Sequence, residues 1–215
     1  MNLDIATWYV VWFFAGVPLV ELSGYFWHRL VEHNGGLGNR LRYNHYVHHE
    51  LHYPAESLRS YAPEEYKDAN DWSWYVLAAV VFAAFGILAA TDALPIGYIL
   101  ALGLGAVAYA RYVVSVFHDL YHIEDPSQLP AKRLFPFGGL LRSVYLRLFR
   151  SPRFQKKYKK LLYLHDLHHL ERCNYGIVFF WADRLFGTFR EKKAETAINV
   201  FPGFDLTSQK RPEKS

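Results

Sequence analysis

The sequence predicts an all-α membrane protein, a helical bundle of about three to four membrane helices with a helical cap on its cytoplasmic side. Three observations carry that prediction. Long stretches hold no charge, the cations lie on one side of the topology those stretches define, and all eleven histidines fall in four short clusters at helical spacings.

Ile5 to Val20 carries no charge, Trp72 to Thr91 is charge-free between Asp71 and Asp92, and Ala93 to Ala110 is charge-free up to Arg111. A helix needs about 20 apolar residues to cross ~30 Å of hydrocarbon. The second stretch has that length alone, while the first and third reach it with their mostly apolar or aromatic neighbours to Trp27 and Phe117. Spans are therefore expected at about 5–27, 72–91 and 94–117. Buried helices of a soluble all-α protein are the competing reading, and the distribution of charge argues against them. All 24 Lys and Arg lie at or beyond Arg29, with none between Ala69 and Ala110. By the positive-inside rule the N-terminus is extracytoplasmic. The first span then runs outward to inward and the next two make a hairpin, so residues 28–52 and everything from His118 onward face the cytoplasm. Met1 to Asp4 has no basic region, so the first span reads as a retained anchor rather than a cleaved signal.

The net charge of +4 is concentrated in Lys132–Arg153 and in KKYKK at 156–160, where cations alternate with apolar residues. Beside membrane spans this pattern predicts an interfacial or re-entrant helix at about 134–150. Leu140, Leu141, Val144, Leu148 and Phe149 would face lipid and the cations would meet anionic headgroups or an acidic redox partner. Nucleic acid is not an expected partner. The single Cys173 excludes an intrachain disulfide and any thiolate-rich zinc or iron–sulfur site. Residues 1–215 read as one domain without repeats or an appended cofactor-binding unit.

The histidine clusters are HRLVEH (28–33), HYVHHELH (45–52), HDLYH (118–122) and HDLHH (165–169). On a helix, His118 and His122 share a face, as do His45 with His48 and His49, and His165 with His168 and His169. His28 and His33 are five residues apart, roughly 140° on a regular helix, so the helix must end or widen there if both are to bind one centre. Glu32, four residues after His28, is the rival ligand to His33. Setting His52 aside, ten histidines suit two metals with about five nitrogen donors each. Zinc prefers four ligands, often with Cys, so the donor set favours redox-active iron, which activates dioxygen when positions are left open.

The four boxes in this order, followed by NYG at 174–176 and WADRLFGTF at 181–189, resemble the fatty acid hydroxylase/sterol desaturase superfamily of integral membrane, non-haem di-iron enzymes. The resemblance spans most of the chain. It implies metal-ligand roles for His28, His33, His45, His48, His49, His118, His122, His165, His168 and His169, with no catalytic residue beyond the ligands. His52 lies outside the shared pattern and is assigned a supporting or structural place. Asp119 and Asp166 are expected to accept ring N–H groups and fix tautomers, with a plain helix-face carboxylate as the alternative. Asn174 is expected to cap a chain reversal, with polarisation of a metal-bound water as the alternative, and Asp183, Arg184 and Gly187 to form a turn and salt bridge.

HHELHYPAESLRSYAP (48–63) and the six-residue first box are similar to the fatty acid 2-hydroxylase branch, and the first spacing also fits carotenoid hydroxylases. No haem-domain His-Pro-Gly-Gly signature is present. The resemblance therefore implies a lipid hydroxylase with two iron ions, replaceable by zinc on purification, and dioxygen as cosubstrate. Two electrons would come from a separate ferredoxin or small cytochrome with its reductase. Sterol or other lipid desaturation, methyl oxidation and carotenoid hydroxylation are the alternatives within the superfamily. A membrane metal-binding protein and a zinc-dependent hydrolase are the alternatives outside it.

Overall fold

The computed structural model describes residues 4–59, 73–129, 134 and 136–192. Met1 to Leu3, Ser60 to Pro63 of the second box's extension, Trp72 at the start of the second expected span, and Lys132 with Arg133 lie outside the described residues. The described chain is helical with no strand.

Helix α1 (Ile5–Phe26) starts at Asp4, whose carboxylate accepts the Thr7 N–H at 2.7 Å. It continues without a break into a widened π turn, Trp27–His33, and stops at Asn34 and Gly35, where Gly35 takes φ +70. Helix α2 (Asn39–Val47) likewise runs into a π turn, His48–His52. Helix α3 (Ser73–Ala90) and helix α4 (Ile96–Tyr109) form a hairpin through a tight turn in which Asp92 has φ 50. Helix α4 passes through a third π turn, Ala110–Val114, into α5 (Ser115–Tyr121). Helices α6 (Gly138–Phe149), α7 (Pro152–Leu170) and α8 (Trp181–Leu185) follow.

Three helices are long and apolar enough to cross a membrane: Ile5–His33, Ser73–Ala90 and Ile96–Tyr121. Two of them run on as helix past Trp27 and Phe117, the approximate ends expected for the first and third spans. His28, His33 and His118 sit in the last turns of these continuous helices. At 1.5 Å per residue the 29 residues of the first helix rise about 43 Å, more than the ~30 Å needed to cross a hydrocarbon layer. Val10, Phe14, Val80, Ile87, Leu100 and Leu104 stand exposed on these helices, the pattern of surfaces that face lipid.

Helix α1 packs along α4 more extensively than any other pair of elements. The approach is so close that a Cβ at Gly105 would collide with the Phe13 carbonyl, and one at Gly16 with the backbone of Gly105 and Ala106. Small residues that let backbones touch drive helix association where no hydrophobic force acts between them. Phe85, Ile99 and Leu102, with Trp12 and Leu19, fill the layer beside this crossing. A second core of Val116, Leu120, Tyr121, Tyr158, Leu161 and Leu164 joins α5 to α7 in the cap. On α6, Leu140, Val144 and Leu148 are exposed, but Leu141 and Phe149 turn inward onto that second core. The lipid-facing stripe expected on this helix is thus narrower than the sequence pattern proposes, because the start of α7 folds back against α6 and needs a cover.

Replacing Gly105 with Val should separate α1 from α4. We expect a loss on the order of 1–3 kcal/mol or more, as for other overpacked contacts, read as a lowered thermal midpoint or failure to recover monodisperse protein in detergent.

Candidate metal centre

Nine of the ten expected ligands come together as two adjoining groups of buried rings: His28, His33, His45, His49 and His168 in the first, and His48, His122, His165 and His169 in the second. Within each group one ligand atom per residue lies within 4.8 Å of the others. His118 stands beside the second group, its ring centroid 4.8 Å from His48 and 5.1 Å from His122. His49 and His169 stack at 3.9 Å where the groups meet. His52 belongs to neither group.

The boxes do not each serve one centre, as shared helix faces suggest. The second box sends His45 and His49 to the first group and His48 to the second; the fourth sends His168 to the first and His165 and His169 to the second. Neighbouring positions on a helix diverge by about 100°, so a box set between two centres feeds both. The first box works through its π turn. Bonds from i to i+5, such as Asn34 N–H to the Arg29 carbonyl at 3.2 Å, bring residues five apart roughly one above the other. His28 and His33 therefore face the same centre. Glu32 points elsewhere: it accepts the Ser73 hydroxyl at 2.6 Å, the Trp27 indole N–H reaches Ser73 Oγ at 3.2 Å, and the second carboxylate oxygen lies 3.7 Å from His45 Nδ1.

Backbone carbonyls set the tautomers. Nδ1–H donates from His28 to Tyr175 (2.7 Å), from His168 to Cys173 (2.8 Å), from His122 to Leu58 (2.9 Å) and from His169 to Tyr53 (3.2 Å). Since a carbonyl only accepts, each of these neutral rings presents a bare Nε2 lone pair to the interior. Those lone pairs crowd. His45 Nε2 lies 2.9 Å from His28 Nε2 and 3.0 Å from His33 Nε2, His33 Nε2 lies 3.3 Å from His168 Nε2, and His165 Nε2 lies 3.1 Å from His122 Nε2. One N–H on His45 cannot serve both of its neighbours. Both ring nitrogens of His48 and Nε2 of His169 have no hydrogen-bond partner among the described residues. Buried polar atoms are ordinarily satisfied, and a cation in each group would take up one nitrogen of each ring. Imidazole donors suit zinc, copper, iron and nickel alike.

Burial, followed by the mutual repulsion of neighbouring rings, holds His45, His48, His49 and His165 well below the ordinary imidazole pKa. His122, His168 and His169 are lowered for the same leading reason. Neutral imidazole is the form that binds metal.

The segment 173–190 supports the first group through two side chains. Asn174, at φ 52, donates from Nδ2 to the Leu164 and Arg190 carbonyls and accepts the Arg190 N–H on Oδ1, which places it in the chain reversal rather than at the rings. Asp183 is fully buried and accepts the N–H groups of Tyr175 (2.7 Å) and Gly176 (2.8 Å) and the Thr188 hydroxyl (2.7 Å). The expected turn is present, with Gly187 at φ +71, but the expected salt bridge is not built from Asp183. Arg184 instead stacks over Phe189 at 3.5 Å and lies 3.8 Å from Glu191. Backbone N–H groups outcompete a guanidinium here because the site is sealed from water. Burial pushes the Cys173 thiol up to about 12, so this residue contributes its carbonyl and not a thiolate.

Asp166 also departs from its expected role. It binds Arg59, whose Nη2 donates at 2.7 and 2.6 Å to its two oxygens, and the tautomers are set by carbonyls instead. Asp119 is buried at the wall of a cavity of about 470 Å³. That cavity reaches His28, His45 and His118 at one end and Val81, Phe82, Phe85 and Gly103 among the span-length helices at the other. Sequence reasoning missed Tyr53, Leu58, Arg59, Ser73, Cys173 and Tyr175 as supports. Arg59 and Tyr53 were within reach as members of the extended second box; the others act through a backbone carbonyl or across 41 residues, and leave no local signal.

Compared with protein-family models, curated proteins and solved structures, the chain matches none.

Two outcomes follow for stability. The unfolded histidines bind protons near an ordinary pKa of about 6.5 and the buried ones do not, so the unfolded state gains protons as pH falls. Stability of the metal-free protein should therefore hold above about pH 7 and decline steadily below about pH 6.5, as thermal midpoints across pH would record. Asp183→Ala should strand two buried N–H groups and cost on the order of 3 kcal/mol or more, measured by denaturant unfolding in detergent.

Proposed function

We propose that this chain is a membrane-bound di-iron oxygenase that hydroxylates an unactivated C–H bond of a lipid, a fatty acyl chain or a related molecule. The observation that carries the reading is the cavity: its walls are apolar among helices long enough to span a bilayer, and its end is lined by histidines of the candidate metal centre. Ligand sites are mostly apolar clefts of roughly 300–1,000 Å³ with a few converging polar groups, and about 470 Å³ falls within that range. A lipid chain lying between α3 and α4 would bring carbons near its polar end to His28, His45 and His118. The resemblance of the four boxes, NYG and WADRLFGTF to the fatty acid hydroxylase/sterol desaturase superfamily supports the same reading.

In this reading the five rings of the first group and the four of the second, with His118 beside them, each hold one iron ion. The iron pair, when bound, supplies dioxygen activation and C–H oxidation, with overall balance RH + O₂ + 2e⁻ + 2H⁺ → ROH + H₂O. The chain's own residues do the rest. Tyr175, Cys173, Leu58 and Tyr53 carbonyls keep Nε2 lone pairs aimed inward. Trp74, Phe82 and Phe85 exclude water from the lipid path. Arg111 and Ser115 line the same cavity nearer the cap and can meet a polar lipid end. The electrons come from a separate ferredoxin or small cytochrome on the cytoplasmic side, where the positive-inside rule puts the cap.

Comparative lipid mass spectrometry tests this. Cells making the intact protein, and cells making His168→Ala with His169→Ala, are grown with and without oxygen. A lipid gaining one oxygen only with intact protein and oxygen is the expected outcome; loss of two hydrogens would make the enzyme a desaturase. No oxygen-dependent change, even with a ferredoxin and its reductase co-produced, would leave a membrane metal-binding protein.

A further inference from the structure

The two histidine groups are supported by different parts of the chain. The first leans on the segment 173–190, whose hub, Asp183, is fully buried and holds three donors. The second leans on the short strap 53–59. The Tyr53 carbonyl fixes His169 and the Leu58 carbonyl fixes His122, while the Tyr53 ring stacks on His122 at 4.0 Å. Between its ends the strap carries a single tight turn, Ser57 N–H to the Pro54 carbonyl at 2.8 Å. At its far end, next to Leu58, Arg59 reaches Asp166. Asp166 stands on α7 between His165 and His169, both of the second group. The ion pair thus closes a loop in which the strap is tied to the helix whose ligand it orients.

We propose that Arg59 and Asp166 are positioning residues for the second metal position alone, acting through the Leu58 carbonyl on His122 and the Tyr53 carbonyl on His169. This rests on reading the two histidine groups as metal sites. The two supports also differ in exposure. The Arg59 and Asp166 side chains are 30% and 24% exposed, whereas Asp183 is sealed. The bonds they secure are 2.9 and 3.2 Å in the second group against 2.7 and 2.8 Å in the first. Releasing the strap frees His122 and His169 to rotate while His28 and His168 stay pinned by Tyr175 and Cys173. Groups that orient metal-bound histidines typically contribute roughly 10- to 100-fold in metal affinity, and here the effect should fall on one ion of two.

The test is stepwise loading of the full-length protein in detergent with ferrous iron under anaerobic conditions, counted by elemental mass spectrometry after dialysis, with the thermal midpoint followed in parallel. The intact protein should retain two ions per chain. Asp166→Asn and Arg59→Gln should retain one tightly and bind the second roughly 10-fold more weakly or worse, and Asp166→Glu, which keeps the charge, should recover most of the loss. Two ions held with unchanged affinity in Asp166→Asn and Arg59→Gln would overturn the assignment. So would parallel loss of both ions, which marks a general structural role. If the single variants do not fold, the exchanged pair Arg59→Asp with Asp166→Arg and the double variant Arg59→Ala with Asp166→Ala decide: a folded exchanged protein holding two ions tightly supports the latch, and a folded double-Ala protein holding two ions with unchanged affinity overturns it. Failure of the intact protein to hold two ions would instead refute the metal reading itself, and the two failures are distinct.

Discussion

The structure is organised around a conflict that an apolar interior ordinarily forbids: several neutral imidazoles, stripped of water, with ring nitrogens about 3 Å apart and too few N–H groups to pair them all. Each of those nitrogens gives up a hydrogen bond to solvent, and such a loss is costly unless something replaces it. Everything else in the cap serves to hold that arrangement in place. Helix ends deliver the rings, carbonyls commit the opposite nitrogen of four of them, and Asp183 and Asn174 fix the carbonyl-bearing chain near the first group. Two cations would turn the crowding from a penalty into a bond network, and folding and metal binding would then be one equilibrium.

The long apolar helices and the histidine-bearing segments meet at this centre. The continuous helices Ile5–His33 and Ile96–Tyr121 carry histidines in their final turns, so the backbone that could span a bilayer is also the backbone that delivers these rings. The close crossing at Gly16 and Gly105 fixes α1 against α4, and through them the relative position of the first and third boxes. The cavity walls among these helices and the rings at their ends thus share one frame.

Much of this was legible in the sequence because it is written in local spacing. Charge-free stretches mark the three long helices, and His-x-x-His-His marks helix faces. The five-residue gap from His28 to His33 demanded an ended or widened helix, and a widened one is found. What was not legible depends on distant partners. Asp166 has the sequence context of a carboxylate beside a ligand, yet Arg59 claims it from 107 residues away. The carbonyls of Tyr53, Leu58, Cys173 and Tyr175 belong to the backbone, which every residue shares, so no residue type announces them. Leu141 and Phe149 satisfy an amphipathic pattern on α6, and only the fold of α7 across them shows that they face inward.

Three π turns, at 27–33, 48–52 and 110–114, lie in or just before the histidine boxes. Each amounts to an extra residue threaded into an otherwise regular helix, and a regular helix advances about 100° with every residue. Taking one residue out of the first would swing His33 by that angle and leave every amino acid at the site intact in kind. The integrity of the centre is therefore a matter of counting as much as of chemistry. A deletion between His28 and His33 would undo the first group even with every ligand retained.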